Sequence, residues 1–230
     1  MPDRKPRRGF ELLCELIFRP AAHVVARALL PLSVPPPAVV LAGTAVGFAA
    51  AAEIGRGAYV AAALLLQLKT VLDNADGQLA RMSGRVTAFG RYLDSESDLL
   101  VNAALFVGLG LRFSPWLALA GFVVLTSVLS LNFNLERLHR GAPAGPPDGS
   151  LLARVYDVVY GPQDKLAEAL VRRPSARTVG VAANFGLSTQ LAALGLCLAL
   201  GHPTAYLVVL LVCTTVLVTL IAIDRGRSQP

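Results

Sequence analysis

The sequence predicts an all-α polytopic membrane protein with six transmembrane helices and an N-terminal amphipathic helix at the membrane interface. Three observations lead to this class. Hydrophobic residues make up 54% of the 230 residues and the mean hydropathy is +0.58, which is too apolar for an ordinary soluble domain. Long apolar segments recur along the chain between short turns. Lys and Arg gather in alternate connections, as they do in polytopic proteins.

Residues 1–33 are expected to form a basic tail followed by the interfacial helix. From Gly9 to Leu30, apolar residues recur at helical spacing with charged residues on the other side. This pattern favours a helix lying in the interface over a membrane span, although a helix packed on a soluble core would show the same pattern. Pro20 predicts a break or kink in this helix, because proline lacks the backbone N–H of the helical ladder.

Residues 34–224 are predicted to form the six-helix membrane domain. Pro31 and Pro35–Pro37 end the interfacial helix and turn the chain into the bilayer, since proline is tolerated in the first turn of a helix. The second helix is expected to continue past its apolar part, because no helix breaker occurs before Gly77 or Gly84. The predicted spans begin and end near residues 36–52, 58–76, 92–111, 116–132, 179–200 and 204–223.

One long polar region interrupts the predicted membrane domain at about residues 134–177, and we interpret it as a cytoplasmic insertion. It opens with LERLHR and a loop, GAPAGPPDGS. An amphipathic helix is predicted from Leu151 to Val171, with an interruption near residues 160–164. Residues 225–230 form a tail.

The distribution of basic residues predicts the orientation. If both termini are cytoplasmic, the outer turns hold only Arg56 and Arg112, whereas the N-terminal tail, the connection around Arg85 and the polar insertion lie inside. This is a strong positive-inside bias. We therefore expect an integral protein of a bacterial inner membrane, with residues 73–98 at its cytoplasmic face.

The segment Asp73 to Asp98 concentrates acidic residues in an otherwise apolar chain. In its first half, Asp73, Asp76, Gly77 and Ala80 follow the spacing i, i+3, i+4, i+7, which places them on one face of a helix. Gly77 and Ala80 leave this face free of bulk, so an extended group can approach the backbone. Arg81 adds a cation suited to phosphate recognition.

The second half of the segment has its own face. Gly90, Asp94 and Asp98 follow the spacing i, i+4, i+8. About a dozen residues join the two helices, so the two faces are expected to turn toward each other. Three or four carboxylates would then converge. A plainer alternative is that these acids cap helices or pair with nearby arginines.

Converging carboxylates repel one another at the edge of a low-dielectric region and need neutralisation. Lys69 and the nearby arginines offset part of this charge, and divalent cations would do so more effectively. Hard oxygen ligands suit Mg²⁺ or Mn²⁺, and no His or Cys is near enough in sequence to suggest zinc. Two such ions could clamp a phosphate and activate a hydroxyl.

The pattern D-x-x-D-G-x-x-A-R, eight residues, then G-x-x-x-D-x-x-x-D resembles the signature of the CDP-alcohol phosphatidyltransferases (class I, integral membrane). The resemblance covers nearly the whole chain: the interfacial helix, the six spans, and the motif across spans two and three. The chain departs at residues 34–40, VPPPAVV, where family members often carry T-P-N-x-x-T. The pattern is filled by Asp73, Asp76, Gly77, Ala80, Arg81, Gly90, Asp94 and Asp98.

The resemblance implies a reaction and a set of roles. A CDP-linked donor, usually CDP-diacylglycerol, gives its phosphatidyl group to an alcohol hydroxyl and releases CMP, in phospholipid biosynthesis. Asp98 would be the general base, and Gly90 would permit close helix approach. The implied ligands of Mg²⁺ or Mn²⁺ are Asp73, Asp76, Asp94 and Asp98. The implied residues around the cytidine diphosphate are Gly77, Ala80, Arg81 and Gly90. A homodimer is also implied, and nucleic acid is not an expected partner.

The acceptor alcohol is less determined by the sequence. Arg91, Arg137, Arg140 and Lys165 would suit a phosphorylated acceptor, but they could equally fix the topology and bind anionic lipid headgroups. A near alternative joins a soluble CDP-alcohol to a soluble alcohol phosphate. More distant alternatives are a membrane prenyltransferase, which needs two separated Asp motifs, and a cation transporter, which needs acids near the middle of the membrane.

Overall fold

The computed structural model describes residues 9–141, 161–171 and 174–227. Within these residues all regular secondary structure is helical and no strand occurs, which confirms the predicted all-α class. The predicted loop and the start of the helix expected from Leu151 lie outside the described residues. The α-helices are α1 (Arg19–Leu29), α2 (Pro36–Arg56), α3 (Tyr59–Met82), α4 (Ala88–Arg112), α5 (Pro115–Arg140), α6 (Gly161–Leu170), α7 (Ala176–Ala182), α8 (Leu187–Ala199) and α9 (Ala205–Arg227).

Three of the described helices, α2, α5 and α9, are long and apolar enough to cross a membrane. A fourth span results if Ala176–Phe185 and Leu187–Ala199, which meet at a bend, cross together. The helices α3 and α4 do not qualify by composition, because each carries part of the charged motif. The prediction of six spans therefore stays a prediction.

Two irregularities of the helices can be traced to particular residues. A π-helical turn, Cys14–Phe18, runs directly into α1, and Pro20 is the second residue of α1, so the helix is irregular next to the proline but continues through it. The bend before α8 falls at Gly186, whose backbone is extended. A Cβ at Gly186 would lie 2.9 Å from Oε1 of the buried Glu11, so only glycine fits without a shift.

The chain divides into two compact units. The first contains residues 12–122 and 188–207 and includes the whole acidic motif. The second contains, among the described residues, 9–11, 123–141, 161–171, 174–187 and 208–227.

Helix α2 organises the first unit, because α3 and α4 both pack on it. Small residues allow the contact. A Cβ at Gly47 of α2 would lie 2.5 Å from Cγ1 of Val101 on α4. A Cβ at Gly108 of α4 would lie 2.5 Å from the carbonyl oxygen of Ala51 on α2. The backbones of α2 and α4 therefore approach more closely than larger residues would permit.

The second unit has its own apolar core and an ion pair made by a buried arginine. Arg137 is 7% exposed, and its guanidinium donates to Oδ1 of Asn134 at 2.9 Å and to Oε1 of Glu168 at 2.9 Å. These bonds give Arg137, one of the acceptor candidates, an internal structural role. The core residues are Val128, Leu135, Val171, Ala182, Cys213, Leu217 and Ile221.

Candidate active site

The first half of the motif lies within α3, so the predicted helical spacing holds there. Asp76 is 6% exposed, and Asp73 is half-buried. The guanidinium of Arg81 lies beside Gly77, 3.4 Å from the position that a Cβ would occupy. Ala80 follows Gly77 on the same face. The structure therefore places the Arg81 guanidinium along a helix face whose residues, Gly77 and Ala80, are small.

The second half of the motif lies in α4, which begins at Ala88, four residues before the predicted start. Thr87 is the reason, because its Oγ1 accepts a hydrogen bond from the N–H of Gly90 at 3.0 Å and caps the helix. A Cβ at Gly90 would meet only this Oγ1 among the described atoms. The close helix approach expected at Gly90 is thus not found among the described residues.

Lys69 joins the two halves of the motif. Its ammonium donates to Oδ1 of Asp98 at 2.6 Å and also to Oδ2 of Asp73. Lys69 is 1% exposed, so this ion triad is largely removed from solvent. Because Lys69 and Asp98 each lie roughly three turns from the connection between α3 and α4, the two helices run antiparallel in register.

The four aspartates act on one another electrostatically. Asp76 interacts with Asp94, Asp73 and Asp98, and Asp73 interacts with Asp98. The fold thus brings together all four carboxylates that the motif singled out. This concentration of negative charge next to a buried face is costly unless the carboxyls are protonated or neutralised by cations.

The donor set suits a hard divalent cation, because it consists of carboxylate oxygens. In the described part of the chain, however, no three His, Cys, Asp or Glu side chains are arranged to hold a metal together. The ammonium of Lys69 lies between two of the carboxylates instead. The residues therefore fit Mg²⁺ or Mn²⁺ in kind, and their side chains would have to rotate to share an ion.

Gly43 of α2 is a site residue that the motif did not identify. A Cβ at this position would lie 3.0 Å from Oδ1 of Asp73, closer than an ordinary contact. The absence of a side chain at Gly43 therefore lets Asp73 lie against α2. The spacing of Gly43 and Gly47, i and i+4 on one face, is the signal that could have identified it.

Polar contacts on another face of α3 fix its rotation. Nδ2 of Asn74 donates to Oγ of Ser188 at 3.2 Å, and Sγ of Cys14 donates to Oδ1 of Asn74 at 3.2 Å. Nε2 of Gln78 donates to the carbonyl of Arg19 at 3.1 Å. These contacts tie α3 to α8 and to the N-terminal helix, so the acidic face points away from both. Asn74 and Gln78, four residues apart, could have indicated this face.

Asn102 lies one turn beyond Asp98 on α4 and is 4% exposed. Its Oδ1 is buried and accepts no hydrogen bond from the described residues. An unsatisfied buried acceptor costs about 1–3 kcal/mol. Such an acceptor beside a charged site has the character of a group kept for a function rather than for stability.

Residues 32–156 match the model of the CDP-alcohol phosphatidyltransferase family. The match covers more than half of the chain and contains the whole motif. The chain therefore belongs to the CDP-alcohol phosphatidyltransferase family, a family of transferases. This confirms the family predicted from the motif and supports an integral membrane protein.

Two relatives illustrate the similarity of other proteins to parts of the chain. The bifunctional IPC transferase and DIPP synthase of Aquifex aeolicus is 35% identical over 85 residues, which are 34% of this chain and 19% of that protein. An archaetidylinositol phosphate synthase of Methanothermobacter thermautotrophicus is 32% identical over 123 residues, which are 51% of this chain and 57% of that protein. The chain thus spans less than two thirds of the length of these relatives.

A solved structure also aligns with the chain. It is the phosphatidylinositol phosphate synthase PgsA1 of Mycobacterium tuberculosis with CDP-DAG bound. The alignment covers 83% of this chain and 93% of that one, at 22% identity and a TM-score of 0.42.

Proposed function

We propose that the chain transfers a substituted phosphoryl group from a CDP-linked donor to an alcohol hydroxyl, with release of CMP. The first candidate for the donor is CDP-diacylglycerol. The observation that carries this proposal is the position of Asp98 opposite Asp73 on facing helices, with Asp76 and Asp94 within electrostatic range. Family membership supports the same chemistry. CDP-diacylglycerol is the donor that the motif's resemblance to this family implies.

In the proposed reaction, Asp98 takes the proton of the acceptor hydroxyl. The acceptor oxygen then forms a bond to the donor phosphorus distal to cytidine. The bond from that phosphorus to the bridging oxygen breaks, and CMP leaves with this oxygen and its electron pair. Gly77 and Ala80 leave room for the diphosphate, and Arg81 offers it a fixed cation. Gly90 lies at the start of the opposite face.

Asp73, Asp76 and Asp94, together with Asp98, would hold Mg²⁺ or Mn²⁺, and we propose two ions. When bound, these ions supply the positive charge that stabilises the diphosphate and the departing CMP. The chemistry of the oxygen donor set supports this choice. We expect excess EDTA to abolish CMP release and added Mg²⁺ or Mn²⁺ to restore it. Full activity in EDTA would disprove the metal site.

A phosphorylated acceptor is the most specific part of the proposal. The Methanothermobacter relative is named for an inositol phosphate product, which points to a polyol phosphate. Arg91 is exposed and lies three and seven residues before Asp94 and Asp98, so it shares their helix face. A guanidinium there could bind the acceptor's phosphate.

The acceptor test compares inositol phosphate and glycerol 3-phosphate with inositol, glycerol and serine, using CDP-diacylglycerol and CMP release. We expect Arg91→Gln to raise the KM for the phosphorylated acceptor about tenfold or more and to leave the KM for the donor unchanged. Arg112→Gln, at the opposite end of α4, is the matched control. Equal use of all acceptors, or an unchanged KM in Arg91→Gln, would refute this part.

The donor is tested in the same assay. Release of CMP from CDP-diacylglycerol supports a phospholipid product. Release only from a soluble CDP-alcohol, with a soluble alcohol phosphate as acceptor, would replace the lipid donor in the proposal. Ion transport without any CMP release would argue for a transporter.

The proposed setting is the cytoplasmic face of a bacterial inner membrane, with six spans and the N-terminal helix in the interface. Exposed apolar side chains on the N-terminal segment support the interfacial position: Phe10, Leu16 and Ile17 are each more than half exposed. Ala22 and Ala26 are fully buried on the other side. A homodimer stays a prediction from the family.

A further inference from the structure

The ammonium of Lys69 lies between Asp73 and Asp98, where a cation shared by the first and last aspartates of the motif would lie. We infer that Lys69 is a positioning residue that holds these carboxylates across the helix pair and that a divalent cation must displace it. This inference rests on the proposed metal site. It assigns a function to a residue that lies outside the motif.

The contacts of Lys69 support the inference that its ammonium takes the place of a metal ion in the metal-free protein. Lys69 is 1% exposed, and its ammonium bonds to one carboxylate on each of the two helices. A buried cation of this kind is stable only with such partners, and the carboxylates would repel each other without it. The metal-free protein can therefore keep α3 and α4 in register through its own side chains.

A divalent cation and the ammonium cannot share this position, because like charges at a few ångströms repel strongly in a buried site. The position of Asn102 offers an acceptor for the displaced ammonium. Asn102 lies one turn beyond Asp98 on α4. Because α3 and α4 run antiparallel, this is also the direction in which the backbone of Lys69 lies. Oδ1 of Asn102 is buried and unsatisfied, and an ammonium has three N–H donors on a flexible stem.

The test measures Mn²⁺ binding to the purified chain in nanodiscs, by the electron paramagnetic resonance of free Mn²⁺. The variants are Lys69→Met, Lys69→Arg, Asn102→Leu and the double variant Lys69→Met with Asn102→Leu. We expect Lys69→Met to bind Mn²⁺ at least tenfold more tightly than the unsubstituted chain, because the competing charge is gone. Lys69→Arg keeps that charge and should bind no more tightly than the unsubstituted chain.

The Asn102 arm tests the second half of the inference. Asn102→Leu should weaken Mn²⁺ binding at least threefold when Lys69 is present and should have no such effect in the Lys69→Met background. Such non-additivity identifies a coupled pair. Equal weakening in both backgrounds would show that Asn102 does not receive the ammonium.

The outcomes separate the inference from the proposed function. Absence of Mn²⁺ binding in every variant would overturn the metal site and the inference together. Binding by the unsubstituted chain that Lys69→Met leaves unchanged or weakens would overturn the inference alone. A metal-free Lys69→Met protein should also melt at a lower temperature and gain more from Mn²⁺ than the unsubstituted chain does.

A second measurement decides the matter if Lys69→Met does not fold. Lysine occurs at Lys5, Lys69 and Lys165. The double variant Lys5→Arg, Lys165→Arg therefore leaves Lys69 as the sole lysine, and ¹⁵N labelling reports its ammonium directly. We expect Mg²⁺ to move this resonance. A resonance that stays in place at Mg²⁺ concentrations that raise the melting temperature would overturn the inference.

Discussion

The side chain of Asp98 makes two interactions: it faces Asp73 across the helix pair, and it accepts a hydrogen bond from Lys69. A carboxylate that serves as a general base has to reach the acceptor hydroxyl from a fixed position. The bond to Lys69 fixes that position in the absence of substrate. At the scale of a single residue, orientation and reactivity therefore depend on the same oxygen atoms.

We predict that Asp98→Asn lowers the rate of CMP release at least about hundredfold, because a positioned general base typically contributes 10²–10⁴-fold. The measurement is kcat with CDP-diacylglycerol and the preferred acceptor, together with the melting temperature in detergent. Glu96→Gln is the matched control: Glu96 is a half-buried acid two residues away, on a different face of α4. Activity of Asp98→Asn within tenfold of the unsubstituted chain would remove Asp98 from the role of base.

The motif residues could be predicted from the sequence because helical periodicity alone fixes which of them share a face. Asp73 and Asp76 on α3, and Asp94 and Asp98 on α4, follow this rule. The bridge through Lys69 could not be predicted in the same way. It depends on the register between two helices, and spacing within one helix does not contain that register.

At the scale of elements, α2 aligns the two halves of the site because α3 and α4 both pack on it. The contact to α4 is steric: Gly47 faces Val101, and Gly108 faces the backbone at Ala51. A shift of α2 against α4 would move Asp98 relative to Asp73. The geometry of the acids is therefore sensitive to residues that touch none of them.

We predict that Gly47→Ala destabilises the protein by about 1–3 kcal/mol, the usual cost of overpacking, and lowers kcat. The added Cβ would lie 2.5 Å from Cγ1 and 2.8 Å from Cγ2 of Val101. A second substitution, Val101→Ala, removes both atoms and should restore part of the loss. The measurements are the melting temperature and CMP release for the two single variants and the double variant.

The matched control for Gly47→Ala is Gly180→Ala. Gly180 lies in α7, and a Cβ there would meet nothing within 4 Å. That substitution should be neutral or slightly stabilising, since alanine favours a helix over glycine. If Gly47→Ala behaves like Gly180→Ala, close packing of α2 against α4 does not limit the site.

The helix boundaries show which local signals suffice. The start of α2 at Pro36 was predicted from its prolines, because their backbone restriction is local. The start of α4 was predicted too late, since Thr87 caps the helix through a side-chain bond to Gly90. The break at Gly186 depends on the buried Glu11, which is distant in sequence and gave no local signal.

At the scale of the molecule, the acidic residues and Arg81 of α3 lie in the half of the helix nearest the connection to α4, and Lys69 is the one charged residue in the other, mostly apolar half. The mixed composition of α3 and α4 explains why they are not apolar enough to count as membrane spans by composition, whereas α2, α5 and α9 are. We expect both to span the membrane with their charged ends at the cytoplasmic surface, because the adjacent arginines favour that side.

We predict that Val86→Cys, in the connection between α3 and α4, reacts with a membrane-impermeant maleimide only after cells that express the chain are permeabilised. Val86 is 56% exposed, so access is decided by the side of the membrane. Thr204→Cys, in the exposed turn before α9, is the counterpart and should react in intact cells. The readout is labelling above that of the unsubstituted chain. The reverse pattern would invert the proposed orientation.

The contact between Gly43 and Asp73 has a consequence for sequence variation. In a library that samples every amino acid at each position, position 43 should tolerate as few replacements as position 73, although glycine offers no reactive group. The Cβ of any other residue would lie 3.0 Å from Oδ1 of Asp73, so that oxygen would have to shift by a few tenths of an ångström. A scan of tolerated substitutions would therefore identify position 43 as part of the active site. A search for catalytic side chains would not select this position.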